Sequence, residues 1–346
     1  MKRALGILFL FVPLALLCFI LLRQEEREFR GRPESEWLKS IQYGMSMTDA
    51  ESQEQVRRWK ELGPEGLAML GRGLDAPGRS YRQKYRQISQ HLPFVARGLP
   101  EPKPDGTRAT RMCILSLLAR MGTNAWPIAA EVARALDDEA PQVRQLAINF
   151  YTGPEDHTAL LNNLPSAEKR RLLPSFVRSL ESPSNWGLRN NAALALRYYD
   201  NDGRAAVPAL VTALKDASPN VQIYAAQALN RISPIDARQA RAVSVVTNVL
   251  AHPDDQVASK AADVLRDFSD EPEALSGLVN ALRSTNTLVA CSAVWALEWR
   301  FQKHAPSVLP ALREAAQRKD NVAGHARSAI KRLDSSANLN TGSKRE

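Results

Sequence analysis

The chain has 346 residues, a net charge of +9 and a hydrophobic content of 44%. That content excludes a wholly disordered chain, and the length allows either two ordinary domains or one long repeat array. No segment shows the alternating pattern of a strand, so we predict an all-α fold. The three cysteines form no Cys-x-x-Cys pair, which excludes the metal and redox motifs that use this spacing.

Residues 4–22, which begin at Ala4 and end at Leu22, form an uncharged and mostly apolar stretch after two basic residues. As a helix, these 19 residues span about 28 Å, close to the thickness of a bilayer core. No small-x-small cleavage site follows, which favours an uncleaved transmembrane anchor over a cleaved leader or a buried soluble helix.

The orientation of this anchor is indicated by the charges on either side of it. A short N-terminal tail usually stays in the cytoplasm, so we expect the rest of the chain to be extracytoplasmic. Four arginines follow the span closely and favour the reverse orientation. They are Arg23, Arg27, Arg30 and Arg32.

Residues 23–55 are a charged connector that contains a short predicted helix. Its apolar residues Trp37, Leu38 and Ile41 are expected to cover the first repeat, because the end of a repeat array needs an atypical cover. A binding motif is the alternative interpretation of this segment.

Residues 56–121 carry helical stripes and a basic insertion, which we interpret as a divergent N-terminal repeat. Between residues 76 and 120 the chain has nine lysines and arginines but two acids, so +7 of the net charge lies here. Arg79, Arg82 and Arg86 recur at the spacing of one helix face. We predict that this face contacts an acidic partner or anionic lipid headgroups, with a merely solvated helix as the alternative.

Residues 122–333 contain six copies of a two-helix pattern. In each second helix an apolar reference residue is followed four residues later by alanine, which lets neighbouring helices approach closely. Helices this short cannot bury their apolar stripes alone, so the copies are expected to stack. The reference residues are Val143, Leu188, Val221, Val257, Val289 and Val322, and the alanines are Ala147, Ala192, Ala225, Ala261, Ala293 and Ala326. Residues 334–346 show no apolar period and are predicted to be a disordered tail.

The pattern of valine, alanine and leucine in the second helices resembles the HEAT-repeat family, in particular its short-repeat bacterial members. Prolines near the start of many first helices strengthen the likeness. They are Pro127, Pro174, Pro208 and Pro310. Residues 31–38, with Trp37 and Leu38 at their end, resemble a segment that precedes the repeats in some bacterial membrane-anchored members.

The resemblance implies a right-handed α-solenoid of paired antiparallel helices whose second helices line the concave side. It also implies a membrane-anchored scaffold that binds a protein partner. Arg144 and Arg189 follow the reference residue, as is frequent in the family. Other residues stand there in the remaining copies, namely Gln222, Ala258, Ala290 and Ala323.

Catalysis requires several reactive groups that converge, and the sequence offers no motif of this kind. The five histidines are isolated, and we expect neither an enzyme nor a bound metal or cofactor. An enzyme assembled from scattered residues such as Asp156, His157 and Arg189 is one alternative. A nucleic-acid-binding solenoid that uses the basic N-terminal stretch is the other, although we expect a protein partner.

The partner is expected to contact the outward positions of the second helices, which we place two, six and ten residues after each reference residue. Trp295 and Trp299 occupy such positions, and exposed aromatic clusters tend to mark binding sites. The other residues predicted at these positions are Tyr198, Ile223, Arg231 and Cys291. Alternatively, the two tryptophans wedge against small residues of the neighbouring repeats, namely Ser259, Gly324 and Ser328.

Overall fold

The computed structural model describes residues 27–41, 48–75, 108–153 and 159–342, with side chains up to residue 334. The chain divides into two compact units, Met1–Met121 and Gly122–Glu346. The predicted anchor at residues 4–22 lies outside the described residues, and so do the basic face and two residues of the alternative dispersed catalytic site. The residues concerned in those two sites are Arg79, Arg82, Arg86, Asp156 and His157.

No helix within these described ranges combines the length and the apolar character that crossing a membrane requires.

The first unit is helical, apart from one small hairpin in its described part. Its elements are β1 (Glu28–Phe29), β2 (Arg32–Pro33), α1 (Glu34–Lys39), α2 (Asp49–Glu61), α3 (Gly63–Gly73) and α4 (Arg108–Met121). The hairpin was not predicted, because two-residue strands are too short to show alternation. Its turn has positive φ at both Arg30 and Gly31, as a tight hairpin requires.

Helix α1 covers the rest of the first unit. Trp37 donates its ring N–H to the carbonyl of Phe29 at 3.0 Å, which fixes the helix to the hairpin. Leu38 lies so close to Gly73 that a Cβ there would be 2.7 Å from the leucine side chain. Ile41 is buried just after the helix. These contacts agree with a capping role for the segment within this unit.

The second unit is built from six helix pairs among its described residues. The six first helices are α5 (Ala129–Ala135), α8 (Ser166–Leu180), α10 (Val207–Ala213), α13 (Ala242–Val249), α15 (Pro272–Ala281) and α17 (Ala305–Ala315). The six second helices are α6 (Pro141–Thr152), α9 (Trp186–Leu196), α11 (Pro219–Ile232), α14 (Asp255–Leu265), α16 (Thr287–Arg300) and α18 (Asn321–Gly342). Two short connecting helices are α7 (Leu160–Asn163) and α12 (Pro234–Gln239).

The second helices pack on one another in chain order and form one layer of the second unit. The first helices form the other layer, with α8 against α10 and α13 against α15. Every reference residue and every alanine four residues later is buried, which confirms the repeat pattern. The unit is therefore an all-α solenoid in which each repeat buries its apolar stripe against its neighbours.

The last helix extends further than the sequence suggested. The backbone of α18 is helical up to Gly342, so the disordered tail predicted for residues 334–346 is corrected for most of its length. The physical reason is that neither proline nor glycine occurs between Asp334 and Thr341, so that nothing in the sequence stops the helix.

Three aromatic rings connect the first repeats of the second unit. Tyr151 lies edge-on to Phe176 with 6.2 Å between ring centroids, and Phe176 lies edge-on to Tyr199 at 5.9 Å. The Tyr151 hydroxyl donates to the carbonyl of Ala129 at 2.6 Å. The buried Tyr199 hydroxyl has no hydrogen-bond partner among the described residues.

We expect Tyr199→Phe to leave the free energy of unfolding unchanged or to raise it by about 1 kcal/mol, because the substitution removes a desolvated and unpaired hydroxyl. Tyr151→Phe removes the same group where it is paired, and we expect it to cost about 1 kcal/mol. Urea denaturation followed by circular dichroism compares the two variants. An equal loss of stability in both would show that the Tyr199 hydroxyl is satisfied in solution.

Candidate functional site

Trp295 and Trp299, called here the tryptophan pair, lie one turn apart on the open side of α16. Their side chains are 57% and 61% exposed, whereas the intervening Ala296, Leu297 and Glu298 are buried. The alternative in which the pair is wedged into the neighbouring repeats is therefore wrong. Unpaired apolar surface of this size remains available to a partner.

Two side chains of α18, His325 and Arg332, flank the tryptophan pair. The Trp295 ring lies edge-on to His325 of α18, with 6.3 Å between the ring centroids. The guanidinium of Arg332 lies over the Trp299 ring at 5.6 Å and is also ion-paired with Glu298. These contacts orient both rings while each tryptophan remains more than half exposed.

The outward positions of the second helices differ in part from those predicted. Ile223 and Ser259, each two residues after a reference residue, are buried rather than exposed. A second helix packs on both of its neighbours, so the residue two positions after its reference residue is covered by the next second helix. The Ser259 and Ser292 hydroxyls, 2.9 Å apart, show this contact. Cys291, at the same position of α16, is half-buried.

Tyr198 was predicted to be outward and is only 5% exposed. Helix α9 ends at Leu196, so the helical period no longer applies at the tenth position after its reference residue. Arg197 lies over the Tyr198 ring at 4.9 Å and donates to its hydroxyl at 2.8 Å. Burial raises the pKa of Tyr198, despite the neighbouring guanidinium. Tyr198 is thus a packed residue of the repeat array.

Arg231 is exposed as predicted, and it belongs to a series that the sequence analysis missed. The second helices α9, α11, α14, α16 and α18 each carry an arginine at or next to the C-terminal end of their repeat pattern. This arginine row comprises Arg197, Arg231, Arg266, Arg300 and Arg332. The recurrence of arginine nine to eleven residues after five of the six reference residues was the available signal. In α9, α11, α14 and α16, where the arginine lies at or just beyond the helix end, its charge also interacts favourably with the helix dipole.

The middle of the same surface carries a further ring with a cation. Lys260 of α14 lies over the Tyr224 ring at 5.4 Å and donates to the Asn220 side chain at 3.0 Å. Burial lowers the pKa of this lysine. Burial likewise raises the pKa of Asp263, one turn further along the helix. Lys260 is half-buried, whereas Asp263 remains exposed at the surface.

Arg189 has a structural role that explains its place after the reference residue. Its guanidinium forms two hydrogen bonds with the Asp216 carboxylate of the next repeat, at 2.6 and 2.9 Å. It also donates to the carbonyl of Ser182 at 3.0 Å. The hydrogen bond to Asp216 raises the pKa of Arg189. The side chain is thus committed to joining two repeats.

The described residues contain no group of three or more His, Cys, Asp or Glu side chains arranged to hold a metal ion.

Comparison with known proteins identifies the repeats. A family model described as HEAT repeats matches residues 173–266 and 243–331. No curated protein matches the sequence at a significant level. The CpcE–CpcF complex of phycocyanin lyase from Nostoc sp. PCC7120 is 19% identical over 68% of this chain and 96% of the other, with a TM-score of 0.41.

The archaeal HEAT-like repeats protein from Thermococcus onnurineus NA1 is 13% identical. The match covers 68% of this chain and 99% of the other, with a TM-score of 0.39. An engineered protein is 19% identical over 60% of this chain and 96% of its own, with a TM-score of 0.42. The family match and the stacked helix pairs agree over residues 173–331. Residues 173–331 of this chain are therefore HEAT repeats.

Proposed function

We propose that the chain is a scaffold that binds a protein partner through the second-helix surface around the tryptophan pair. The single observation that carries the proposal is the exposure of Trp295 and Trp299 on adjacent turns of α16. Tryptophan is enriched among the residues that dominate binding energy at protein interfaces, because a large ring buries much area at a small entropic cost.

The surroundings of the pair support a binding role over a packing role. Its neighbours His325 and Arg332 orient the rings without covering them. Rings that are already held in place lose little conformational freedom on binding, so more of the contact energy is available for affinity. The proposal assigns binding and not catalysis to this surface.

The double substitution Trp295→Ala with Trp299→Ala is expected to reduce partner capture at least tenfold, since each hot-spot residue contributes about 2 kcal/mol or more. The melting temperature should change little, because both rings are more than half exposed. Quantitative crosslinking to the full chain in membranes measures capture, and thermal denaturation measures stability.

The matched control is Trp186→Ala, which removes another tryptophan, 58% exposed at the start of α9. This control should capture the same partners as the unaltered chain. Equal capture by the double variant would contradict the proposed surface. A loss of about 3–5 kcal/mol in stability would instead assign the pair to the core.

We further propose that residues 4–22 anchor the chain in a membrane, with the repeats on the extracytoplasmic side. The apolar run and the absence of a cleavage site support the anchor. The protein is expected to remain in the membrane fraction at full length after carbonate washing. A soluble product that begins near Arg23 would contradict the anchor. Activity of a C-terminal reporter that functions only in the cytoplasm would contradict the proposed orientation.

A further inference from the structure

The arginine row is a linear series of positive charges along one edge of the second-helix layer. Helices α9, α11, α14, α16 and α18 are successive neighbours in this layer. Hydrogen bonds join their C-terminal ends directly, since Asn230 donates to the carbonyl of Asp267 at 2.9 Å and Arg231 to that of Arg197 at 3.4 Å. Packed helices are typically about 8–10 Å apart, so we expect the row to repeat at about that distance.

Three members of the row form no hydrogen bond or ion pair with a carboxylate among the described residues, although Arg266 is near enough to Asp263 to act on the pKa of that carboxyl. Arg231, Arg266 and Arg300 are exposed, whereas Arg332 is paired with Glu298 and Arg197 is held by Tyr198.

The acids nearest the row in sequence have partners of their own within the fold. Asp267 accepts from Gln227 at 2.6 Å, and Asp263 is hydrogen-bonded to Ser292. Glu298 is buried beneath its ion pair with Arg332. The row therefore offers three arginines to an anionic partner.

The spacing of the row fits one form of polypeptide particularly well. A polyproline II helix repeats every three residues at about 3.1 Å per residue, so that every third side chain returns to the same face after about 9 Å. That distance lies within the range typical of packed helices, about 8–10 Å. Carboxylates at every third residue of such a peptide can therefore meet consecutive arginines.

The tryptophan pair provides a second feature that matches a peptide in the polyproline II conformation. Trp299 precedes Arg300 directly, so an exposed aromatic face lies within the row itself. Proline-rich segments in this conformation dock against aromatic side chains and lose little entropy, because they are already extended.

We propose that the partner presents an acidic, proline-containing segment in the polyproline II conformation, with carboxylates at every third residue, to the arginine row. This inference rests on the proposed function and names the chemistry of the partner. The carboxylates pair with Arg231, Arg266 and Arg300, and the proline rings stack on Trp299.

A single-stranded nucleic acid fits the surface less well. Binding of successive bases needs an aromatic ring on each repeat, and the sixth position after the reference residue is Gln227 in α11 and Asp263 in α14.

The test uses the full chain in a non-ionic detergent and a fluorescein-labelled peptide of five Glu-Pro-Pro triplets. Fluorescence anisotropy is expected to show saturable binding that weakens as salt is added. The matching Gln-Pro-Pro peptide, which has the same shape without charge, should bind at least tenfold more weakly, the equivalent of about 1.4 kcal/mol.

The triple variant Arg231→Gln, Arg266→Gln and Arg300→Gln should show the same tenfold loss for the glutamate peptide. The matched control removes three exposed cations from the first-helix side of the same unit. Its substitutions are Arg204→Gln, Lys215→Gln and Arg313→Gln. This control has the same net charge as the triple variant and should bind as the unaltered chain does.

Several outcomes would overturn the inference. One is undetectable binding of the glutamate peptide, and another is equal binding of the glutamate and glutamine peptides. The others are an affinity of the triple variant equal to that of the unaltered chain, and a loss of affinity in the control equal to that in the triple variant. Tighter binding of a twenty-nucleotide oligothymidylate through the same arginines would assign the row to nucleic acid. None of these results affects the crosslinking test of the tryptophan pair, so the proposed function stands or fails separately.

Discussion

Replacing Phe176 with alanine is expected to lower the free energy of unfolding of the repeat unit by about 4 kcal/mol. The ring is fully buried and lies edge-on to Tyr151 of the preceding repeat and Tyr199 after the following helix. The substitution therefore removes one large side chain and leaves a cavity between repeats. Because each repeat is stabilised mainly by its neighbours, the substitution lowers the stability of the adjacent repeats as well.

Urea denaturation followed by circular dichroism measures this change. Phe176→Leu is the matched control, since it retains most of the apolar volume and should cost less than about 1.5 kcal/mol. Repeat arrays can unfold in parts, so the denaturation curves of the variant and the unaltered chain should also be compared for a separate unfolding step of the first repeats. A cost below 1 kcal/mol for the alanine variant would contradict the packing described for Phe176.

Replacing Asp216 with alanine is expected to cost about 2–3 kcal/mol, because it leaves the Arg189 guanidinium without its carboxylate in a largely covered site. The side chains of Arg189 and Asp216 are only 15% and 10% exposed. Asp216 also accepts from the backbone N–H of Ser218 at 2.8 Å, at the start of α11.

The control for this variant is Glu314→Ala. Glu314 forms an ion pair of the same two-bond geometry with Arg283, at 3.1 and 2.9 Å, also between neighbouring repeats. Both of these side chains are more than half exposed, so water and salt screen the pair. The Glu314 variant should therefore lose far less stability than the Asp216 variant. Equal losses would contradict the difference in burial.

The Asp216 effect should depend on pH in a definite direction. Burial alone would raise the pKa of Asp216, but the hydrogen bonds from Arg189 and Ser218 outweigh it and hold the pKa below its ordinary value of 3.8. A carboxylate with a lowered pKa contributes stability above its ordinary pKa, and the contribution is lost as the pH falls through the folded value. The difference between the unaltered chain and Asp216→Ala should thus shrink as the pH is lowered below about 4.

The repeat architecture could be predicted from the sequence because one physical requirement recurs in every copy. A small residue must stand where second helices approach, and alanines such as Ala225 and Ala261 are fully buried there. The exposure of Trp295 and Trp299 followed from the same period.

Errors arose where a residue lies beyond the regular period of a single helix. Tyr198 follows the end of α9, and Ile223 is covered by a neighbouring helix that the period of α11 does not report. The arginine row was missed for a related reason. Arg266 and Arg300 lie at or beyond helix ends, at offsets that vary by a residue or two between copies.

The position of the tryptophan pair next to the last repeat has a thermodynamic consequence. Helix α18 packs against α16 and α17 and, within the described residues, has no following helix to cover it. Terminal elements open locally at a lower free energy than internal ones. Because α18 supplies His325 and Arg332 to the surface, opening of this end dismantles the site. Occupancy of the site and the packing of α18 on α16 are therefore linked, so that a bound partner stabilises α18 against local opening.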